Sequence, residues 1–326
     1  MNAPGTTAPG PDGTTASAFE WPKDAFDLSR PLPTFFIVGA PKAGTTSLHA
    51  YLSAHPDIFM SSRKEPHYSS TFKVKPDFDN FVPPIRHSAE YQDLFRQSVG
   101  FQVVGESSTS YLSDPIAAAR IKAVVPNAKI IISLRNPVER AYSHYLMECR
   151  EGRETRTFRE ALDADANSPV RGWGVSLQYV ELGLYSRQVQ TYITLFGRTN
   201  VLVILFEEFS RDTARVMRDV AHFLRVDPAR YPAEAFDAIH HSFAASRGRL
   251  ARWILRCKPI RVWAKRWVPR SWRWTLRDTF LFKRISKPDL DSEVRGSLAE
   301  QFRVDIGQLE ELLERDFEVL KHTRYR

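Results

Sequence analysis

The sequence predicts an α/β fold in which helices flank a doubly wound, mostly parallel β-sheet, with a helical C-terminal part. Short apolar runs alternate along the chain with segments whose apolar residues recur at helical spacing. One run, Lys129–Leu134, is apolar almost throughout, as expected of a central parallel strand that is covered on both faces. Another, Phe35–Val38, leads directly into a loop with two glycines and then into a helical pattern. This order of strand, loop and helix is typical of α/β proteins that bind ligands beyond the strand ends.

The composition predicts one soluble domain. The 326 residues suffice for one large α/β domain, and their hydrophobic content of 43% is ordinary for a globular protein. Residues 1–18 are rich in Gly, Pro, Thr and Ala and are predicted to form a disordered tail before a single domain over residues 19–326. Cys149 and Cys257 are too few for a disulfide framework, and the sequence has neither a signal-peptide pattern nor a bilayer-spanning apolar run. We therefore expect a soluble, cytoplasmic protein.

The loop after Phe35–Val38 predicts an anion site. A helical pattern follows the loop, so backbone N–H groups and the positive end of a helix dipole point at one spot. Gly39 and Gly44 have the spacing of a Walker A loop, but Thr45 stands at the lysine position and the lysine is Lys42. A lysine inside the loop suits a single 5′ phosphate better than a triphosphate; the alternative is an ordinary glycine turn. The predicted contacts are Lys42, Ala43, Gly44, Thr45, Thr46 and Ser47.

Carboxylates follow two further strand candidates. Ile58–Met60 precedes Glu65 and His67, and Phe101–Val104 precedes Glu106. Because ligands of open α/β sheets lie outside the carboxyl ends of the strands, a general base at Glu65 is one interpretation. The other is a surface loop whose charges are incidental.

A second anion site is predicted where Lys129–Leu134 ends. Asn136–Glu139 supplies an N-cap, a proline at N1 and a glutamate at N3, which together predict a helix start with a capping box. Arg135 at the strand end and Ser143 in the helix are placed to converge on a phosphate, because arginine offers a bidentate fork. The alternative is a capped helix with surface arginines.

The remaining elements follow from caps and apolar periodicity. Helices are predicted at Ser88–Phe95, Asp114–Val125, Thr157–Ala164, Trp173–Phe196 and Asp212–Leu224, a strand is predicted at Asn200–Phe206, and one or two C-terminal helices are predicted over residues 290–326.

The basic charge of the chain is concentrated near the C-terminus. Between residues 247 and 287 there are 14 Lys and Arg but one Asp, and residues 249–287 hold five of the seven tryptophans. We interpret 249–287 as a basic, Trp-rich helical segment. The favoured interpretation is a helical subdomain whose tryptophans pack inward and whose arginines are solvated. The alternatives are a patch that contacts an anionic membrane surface peripherally and a platform that stacks sugars or an acidic polymer; nucleic acid is a weaker option. Nucleic acid is not expected as a partner.

Together the two anion motifs resemble those of the sulfotransferases that use 3′-phosphoadenosine 5′-phosphosulfate (PAPS), in their bacterial and glycosaminoglycan-type branch. Pro41–Ser47 is similar to their 5′-phosphosulfate loop, and Arg135–Ser143 is similar to their 3′-phosphate motif. Lys64–Tyr68 is similar to the segment that carries their catalytic glutamate. Glu106–Tyr111 is similar to their Glu-Lys-Thr-Pro-x-Tyr segment, with Ser107 in place of the lysine.

The resemblance implies a P-loop-like, sulfotransferase-type fold and an enzyme. In this interpretation Glu65, Lys42 and His67 are the catalytic residues, and Glu65 is the general base for in-line transfer of a sulfuryl group. The donor would be PAPS, no metal would be needed, and the acceptor would be a hydroxyl of a glycan, a glycolipid or a small molecule. The residues expected to cover the 3′ end of the nucleotide are Arg247 and Gly248.

Two other functions are considered. A P-loop nucleotide kinase or NTPase is disfavoured because no lysine follows Gly44 and no aspartate ends Lys129–Leu134. A non-catalytic membrane-surface adaptor would use the basic segment 249–287 and would bind liposomes without binding nucleotides.

Overall fold

The fold is built around a parallel sheet whose central strand leads into the glycine loop. In the computed structural model, the described residues are 26–71, 84–169, 177–232, 235–236, 244–246, 282–284 and 288–321. The predicted tail 1–18, the predicted contacts Arg247 and Gly248 and nearly all of segment 249–287 lie outside them. The part of that segment that is described, Phe282–Arg284, forms a short strand rather than a helix.

Five strands form this sheet, and all neighbouring pairs are parallel. They are β1 (Phe35–Gly39), β2 (Ile58–Met60), β3 (Val103–Ser107), β4 (Lys129–Leu134) and β5 (Val201–Leu205), in the spatial order β2-β3-β1-β4-β5. A separate antiparallel pair joins β6 (Ala244–Ser246) and β7 (Phe282–Arg284). Because the chain moves from β1 first to one side of the sheet and later to the other, the carboxyl end of β1 borders the crevice where ligands of such sheets bind.

Helices follow most of the strands. They are α1 (Thr45–Ser53), α2 (Ser88–Asp93), α3 (Ala117–Val124), α4 (Pro137–Arg150), α5 (Phe158–Ala166), α6 (Tyr185–Phe196), α7 (Phe206–Arg211), α8 (Thr213–Leu224), α9 (Ser292–Leu313) and α10 (Glu318–Lys321).

The sheet is buried on both faces. Alternate residues of β1 point to opposite sides, so Phe35 and Ile37 join a core with α1 and α8, whereas Phe36 and Val38 join a core with α3, α4, α6 and α9. This two-sided burial explains why the strands have almost continuous apolar sequences. The predicted doubly wound fold class is confirmed.

One predicted helix boundary and one predicted cap are wrong because the side chains concerned have distant partners, although α4 begins at Pro137 as predicted. Asp114 was expected to start a helix, but its carboxylate binds the Thr71 N–H at 2.6 Å and the Ile116 N–H at 3.0 Å, and the helix begins at Ala117. Glu139 was expected to complete a capping box, but it forms an ion pair with Arg295 of α9 at 2.7 Å.

The helix predicted over Trp173–Phe196 covers only Tyr185–Phe196, after a 3-10 turn at Glu181–Gly183. Its residues 173–176 lie outside the described ranges. The Asp305 carboxylate of α9 accepts the N–H groups of Tyr185 and Ser186 at 2.6 and 3.1 Å, which caps the helix from a distant part of the chain. The third strand is Val103–Ser107 rather than Phe101–Val104, so Glu106 lies inside the strand instead of after it.

Candidate active site

The glycine loop places the N-terminus of α1 at the carboxyl end of β1. Gly44 is the N-cap residue with φ of 80°, and as a glycine it has no side chain that could cap this end of the helix. A Cβ at Gly44 would lie 2.7 Å from Cδ2 of Phe206, so both the backbone conformation and the packing require glycine. The hydroxyl of Ser133 in β4 donates to the Ala43 carbonyl at 2.6 Å and holds the loop against the sheet. The N–H groups at the start of α1 have no acceptor on the Gly44 side chain and therefore have the geometry that suits an anion. The predicted contacts of this loop stay a prediction.

The threonines of this loop differ in exposure. Thr45 is buried, Thr46 is exposed and Ser47 is intermediate, so the hydroxyls of Thr46 and Ser47 are the more accessible donors at the helix start.

Lys42 lies in the loop with φ of 69° and directs its ammonium toward α4. Its Nζ lies 3.5 Å from Sδ of Met147, one helical turn beyond Ser143. Burial, followed by the positive charges of Arg150 and Arg135, lowers the pKa of Lys42 to about 8. Glu148 and Glu151 oppose this shift only in part, so a bound anion would stabilise the charged form of Lys42.

Arg135 lies beside the loop, so the structure brings the two predicted anion motifs together. Its Nη1 donates to the Lys42 carbonyl at 3.1 Å, and its guanidinium lies 4.6 Å from the ring centroid of Phe206. The Tyr185 hydroxyl donates to the Arg135 carbonyl at 2.9 Å. Ser143 is partly buried and lies further along α4, on the side that carries Met147. The ring of Phe206 therefore lies next to both motifs, beside Gly44 in one and beside the Arg135 guanidinium in the other.

Glu65 and His67 form a second cluster, on the loop that follows β2. Both have positive φ, 60° and 52°, which is uncommon for these residue types and is typical of functional sites. The Glu65 carboxylate accepts from Lys64 Nζ at 2.6 Å and lies 3.3 Å from His67 Nε2. Thr109 contributes its N–H at 3.0 Å and its hydroxyl at 3.2 Å.

The charges around Glu65 favour its ionised form. Burial opposes ionisation, but Lys64, His67 and the Thr109 N–H outweigh it and lower the pKa of Glu65 to about 2. Burial lowers the pKa of His67 to about 4, so at neutral pH the carboxylate is charged and the imidazole is neutral. Glu65 is therefore a hydrogen-bond acceptor surrounded by four donors.

Lys42 and Glu65 occupy the same edge of the sheet, but within the described ranges no ion pair joins them. The ammonium of Lys42 contacts α4, whereas Glu65 pairs with Lys64 and His67. Thr109 lies next to both clusters. Its N–H donates to Glu65, and its carbonyl would lie 3.3 Å from a Cβ added at Gly39, where the glycine loop begins.

Glu106 has hydrogen-bond partners that differ from those of Glu65. It is fully buried, and its Oε2 accepts from the hydroxyls of Tyr91 and Tyr111 at 3.0 and 2.8 Å. Burial raises the pKa of Glu106 to about 7. We interpret it as an anchor for the loops around the site rather than as a base that an acceptor reaches.

Thr109, Phe206 and Met147 were not predicted as site residues. Thr109 follows β3 in a polar run, Ser107 to Ser110, and that run at a strand end was the signal that could have found it. Phe206 and Met147 carry no sequence signal for this role, because their importance comes from contacts across the sheet.

Within the described ranges, no group of three or more His, Cys, Asp or Glu is arranged to hold a metal ion. In the same part of the chain, none of the helices has the length and apolar character to span a bilayer.

A helix N-terminus, a lysine and an arginine lie beyond the central strand of a parallel sheet, which is the arrangement of an α/β protein of P-loop-like type. The chain belongs to the sulfotransferase family, because the sulfotransferase domain family matches residues 32–249.

Individual relatives agree with this assignment. A sulfotransferase structure from Alicyclobacillus acidocaldarius is 32% identical, with a TM-score of 0.66 and coverage of 90% of this chain and 100% of that one. The human bifunctional heparan sulfate N-deacetylase/N-sulfotransferase 2 is 30% identical over 204 residues, which are 60% of this chain and 22% of the relative. The mouse heparan sulfate glucosamine 3-O-sulfotransferase 3A1 is 28% identical over 222 residues, 67% of this chain and 53% of the relative. The chain thus matches about half or less of the length of these two curated relatives.

Proposed function

We propose that the protein transfers a sulfuryl group from PAPS to an acceptor hydroxyl, with Glu65 as the general base. The observation that carries the proposal is the contact of Arg135 with the glycine loop. Because Arg135 donates to the carbonyl of Lys42, an anion site at Lys42 and the α1 N-terminus would lie beside one at Arg135 and Ser143. A donor with a 5′ phosphosulfate and a 3′ phosphate fits such a pair, whereas a nucleoside triphosphate places its charges on the 5′ end alone.

The residues present fit the donor chemically. The uncapped N–H groups of α1 and the hydroxyls of Thr46 and Ser47 suit the oxygens of a 5′ phosphate. The fork of Arg135 suits a second phosphate, and Phe206 holds its guanidinium in place. We also propose that Arg247 and Gly248 cover the 3′ end of the nucleotide, as the sequence predicts.

The chemistry follows from the charges. PAPS supplies a sulfuryl group whose leaving group is the 5′ phosphate. Glu65 would accept the hydroxyl proton while the acceptor oxygen forms its bond to sulfur and the bond from sulfur to the phosphate oxygen breaks. Lys42 and the α1 N–H groups would stabilise the charge that develops on the leaving phosphate. His67 would help to hold Glu65 in position.

Lys64 has a defined place in this scheme. While it is paired with Glu65, the low pKa keeps the carboxylate ionised but gives it a weak affinity for a proton. Movement of the ammonium from Glu65 toward the anionic sulfuryl group would raise the pKa of Glu65 when the base is needed.

The acceptor is proposed by analogy. Two of the relatives are named for sulfation of heparan sulfate, one at nitrogen and one at a 3-hydroxyl. We propose a glycan hydroxyl as the first candidate, with glycolipids and small molecules next.

The test is transfer of labelled sulfate from PAPS to a panel of glycan, glycolipid and small-molecule acceptors. We expect Glu65→Gln to lower kcat at least about a hundredfold while PAP still binds, because the substitution replaces the carboxylate base by an amide of nearly the same size. The matched control is Glu300→Gln, an exposed glutamate paired with Arg303, which should keep full turnover. Full turnover of Glu65→Gln would refute the assigned base.

A thermal-shift comparison separates the other functions. PAP should raise the unfolding temperature more than ATP or GTP with Mg²⁺, and Arg135→Ala should reduce the PAP shift. Stabilisation by ATP with Mg²⁺ but not by PAP would favour a nucleotide kinase or NTPase. Liposome binding with no response to any nucleotide would favour the membrane adaptor.

A further inference from the structure

His67 is held by a chain of buried hydrogen bonds that continues away from Glu65. Its Nδ1 lies 2.7 Å from the hydroxyl of Ser110, which lies 2.5 Å from the hydroxyl of Ser70. His67 is 3% exposed and the two serines are fully buried. On the other side of the ring, Nε2 lies 3.3 Å from Oε2 of Glu65. The four side chains form one line that ends at the carboxylate.

The positions of the protons along this line follow from what each group can donate. Glu65 is ionised at neutral pH and can only accept, so the proton of the imidazole must lie on Nε2. His67 is neutral, because burial and the cations Lys64, Arg63 and Arg86 outweigh the effect of Glu65 and lower its pKa. Nδ1 is therefore bare and must accept.

Ser110 is the donor that the bare Nδ1 requires. A serine hydroxyl has one proton, and if Ser110 gives it to Nδ1, the short contact with Ser70 can form only when Ser70 donates. Both hydrogen bonds then point the same way, from Ser70 to Ser110 to His67, and the Nε2 proton faces Oε2 of Glu65 at 3.3 Å. Bonds aligned in this way polarise one another and strengthen the last one.

We propose that Ser110, supported by Ser70, is a positioning residue that fixes His67 in the tautomer that donates from Nε2 to Glu65. The proposal rests on the proposed function of Glu65 as the base. Its consequence is geometric: Oε2 is held between the His67 Nε2–H and the Thr109 N–H at 3.0 Å. The orientation of the base toward an acceptor would thus depend on a serine that is itself fully buried.

Replacement of Ser110 should change the contacts that hold the Glu65 carboxylate. In Ser110→Ala, Nδ1 remains buried without this donor, and the opposite tautomer would place the Nε2 lone pair against Oε2. The ring would then rotate or exchange between tautomers, and the carboxylate would lose one of its fixed donors.

The first measurement needs no variant of Ser110. In ¹⁵N spectra of the wild-type protein at pH 7, the His67 signal, assigned as the one missing in His67→Gln, should show a protonated Nε2 and an unprotonated Nδ1. A protonated Nδ1 or an imidazolium in the wild type would overturn the proposal. This result does not depend on whether sulfate is transferred, so it distinguishes failure of the proposal from failure of the proposed function.

The second measurement is kinetic. We expect Ser110→Ala to lower kcat about tenfold with PAP affinity unchanged within about twofold, and to show mixed His67 tautomers. Ser70→Ala should have a smaller effect, because Ser110 keeps its own proton for Nδ1. The matched control is Ser98→Ala, a buried serine whose hydroxyl has no hydrogen-bond partner among the residues that the structure describes, and it should change neither readout. Full turnover of Ser110→Ala, with wild-type transfer intact, would refute the positioning role while the proposed function stands.

Discussion

Binding of PAP should weaken as the pH rises through about 8, because Lys42 must be protonated to hold an anion. In the free protein its pKa is lowered from 10.5 to about 8, first by burial and then by the charges of Arg150 and Arg135. A bound phosphate adds negative charge next to the ammonium and raises that pKa again. Below about pH 8 the lysine is already charged; above it, binding must take up a proton.

The size of the effect follows from the two pKa values. If the phosphate restores the pKa to 10 or above, PAP binds about tenfold more weakly at pH 9 than at pH 7. A lysine with the ordinary value of 10.5 would change the affinity by less than about twofold over this range.

Isothermal titration calorimetry at constant ionic strength measures the affinity, and repetition in buffers of different ionisation enthalpy counts the protons taken up. Lys42→Arg is the matched variant, since an arginine stays charged at every pH used, and its affinity should be flat from pH 7 to 9. Lys42→Met should bind weakly at every pH. The reasoning is refuted if the wild type shows no pH dependence, or if Lys42→Arg shows the same dependence as the wild type.

Three further predictions concern the support of the site. Phe206→Ala should weaken PAP binding about fivefold, because the contact with Arg135 is lost, whereas Phe206→Tyr should keep the affinity. Calorimetry measures both, and equal affinity of the wild type, Phe206→Ala and Phe206→Tyr would contradict the role of the ring. Gly44→Ala should abolish most PAP binding, because its Cβ would lie 2.7 Å from Phe206 at a φ of 80°, and retained binding in the same assay would show that the loop can shift freely. Asp305→Asn should destabilise the protein by about 2 kcal/mol in urea unfolding, since the N-terminus of α6 loses a charged cap; an unchanged midpoint would show that the cap is replaceable.

The parts of the site that the sequence predicts are those with local signals. The apolar strand, the two glycines and the helical pattern after Gly44 lie within a few residues of one another, and the structure follows them closely. The same is true of Asn136, whose side chain accepts the N–H groups of Val138 and Glu139 at the start of α4. Here each residue's partner is a near neighbour in the chain, so the motif can be recognised from the sequence without knowledge of the tertiary structure.

The predictions failed where the partner is distant in sequence. Asp114 looked like a helix cap but binds Thr71, 43 residues away. Glu139 looked like half of a capping box, but Arg295, 156 residues away, takes its carboxylate. Thr109 could not be assigned to Glu65 from the sequence, because their contact depends on the loops after β2 and β3 meeting at one edge of the sheet.

The C-terminal helices lie beyond the matched family region, yet they contact the elements that hold Arg135. Asn136, which caps the start of α4, donates its side-chain N–H to the Leu320 carbonyl of α10 at 2.8 Å. Asp305 of α9 caps α6 at Tyr185, and the Tyr185 hydroxyl in turn donates to the Arg135 carbonyl. The carbonyl of Arg135 and the peptide that follows it are therefore fixed from the far end of the chain. The position of the arginine proposed to bind the 3′ phosphate is thus a property of the whole fold rather than of the motif that contains it.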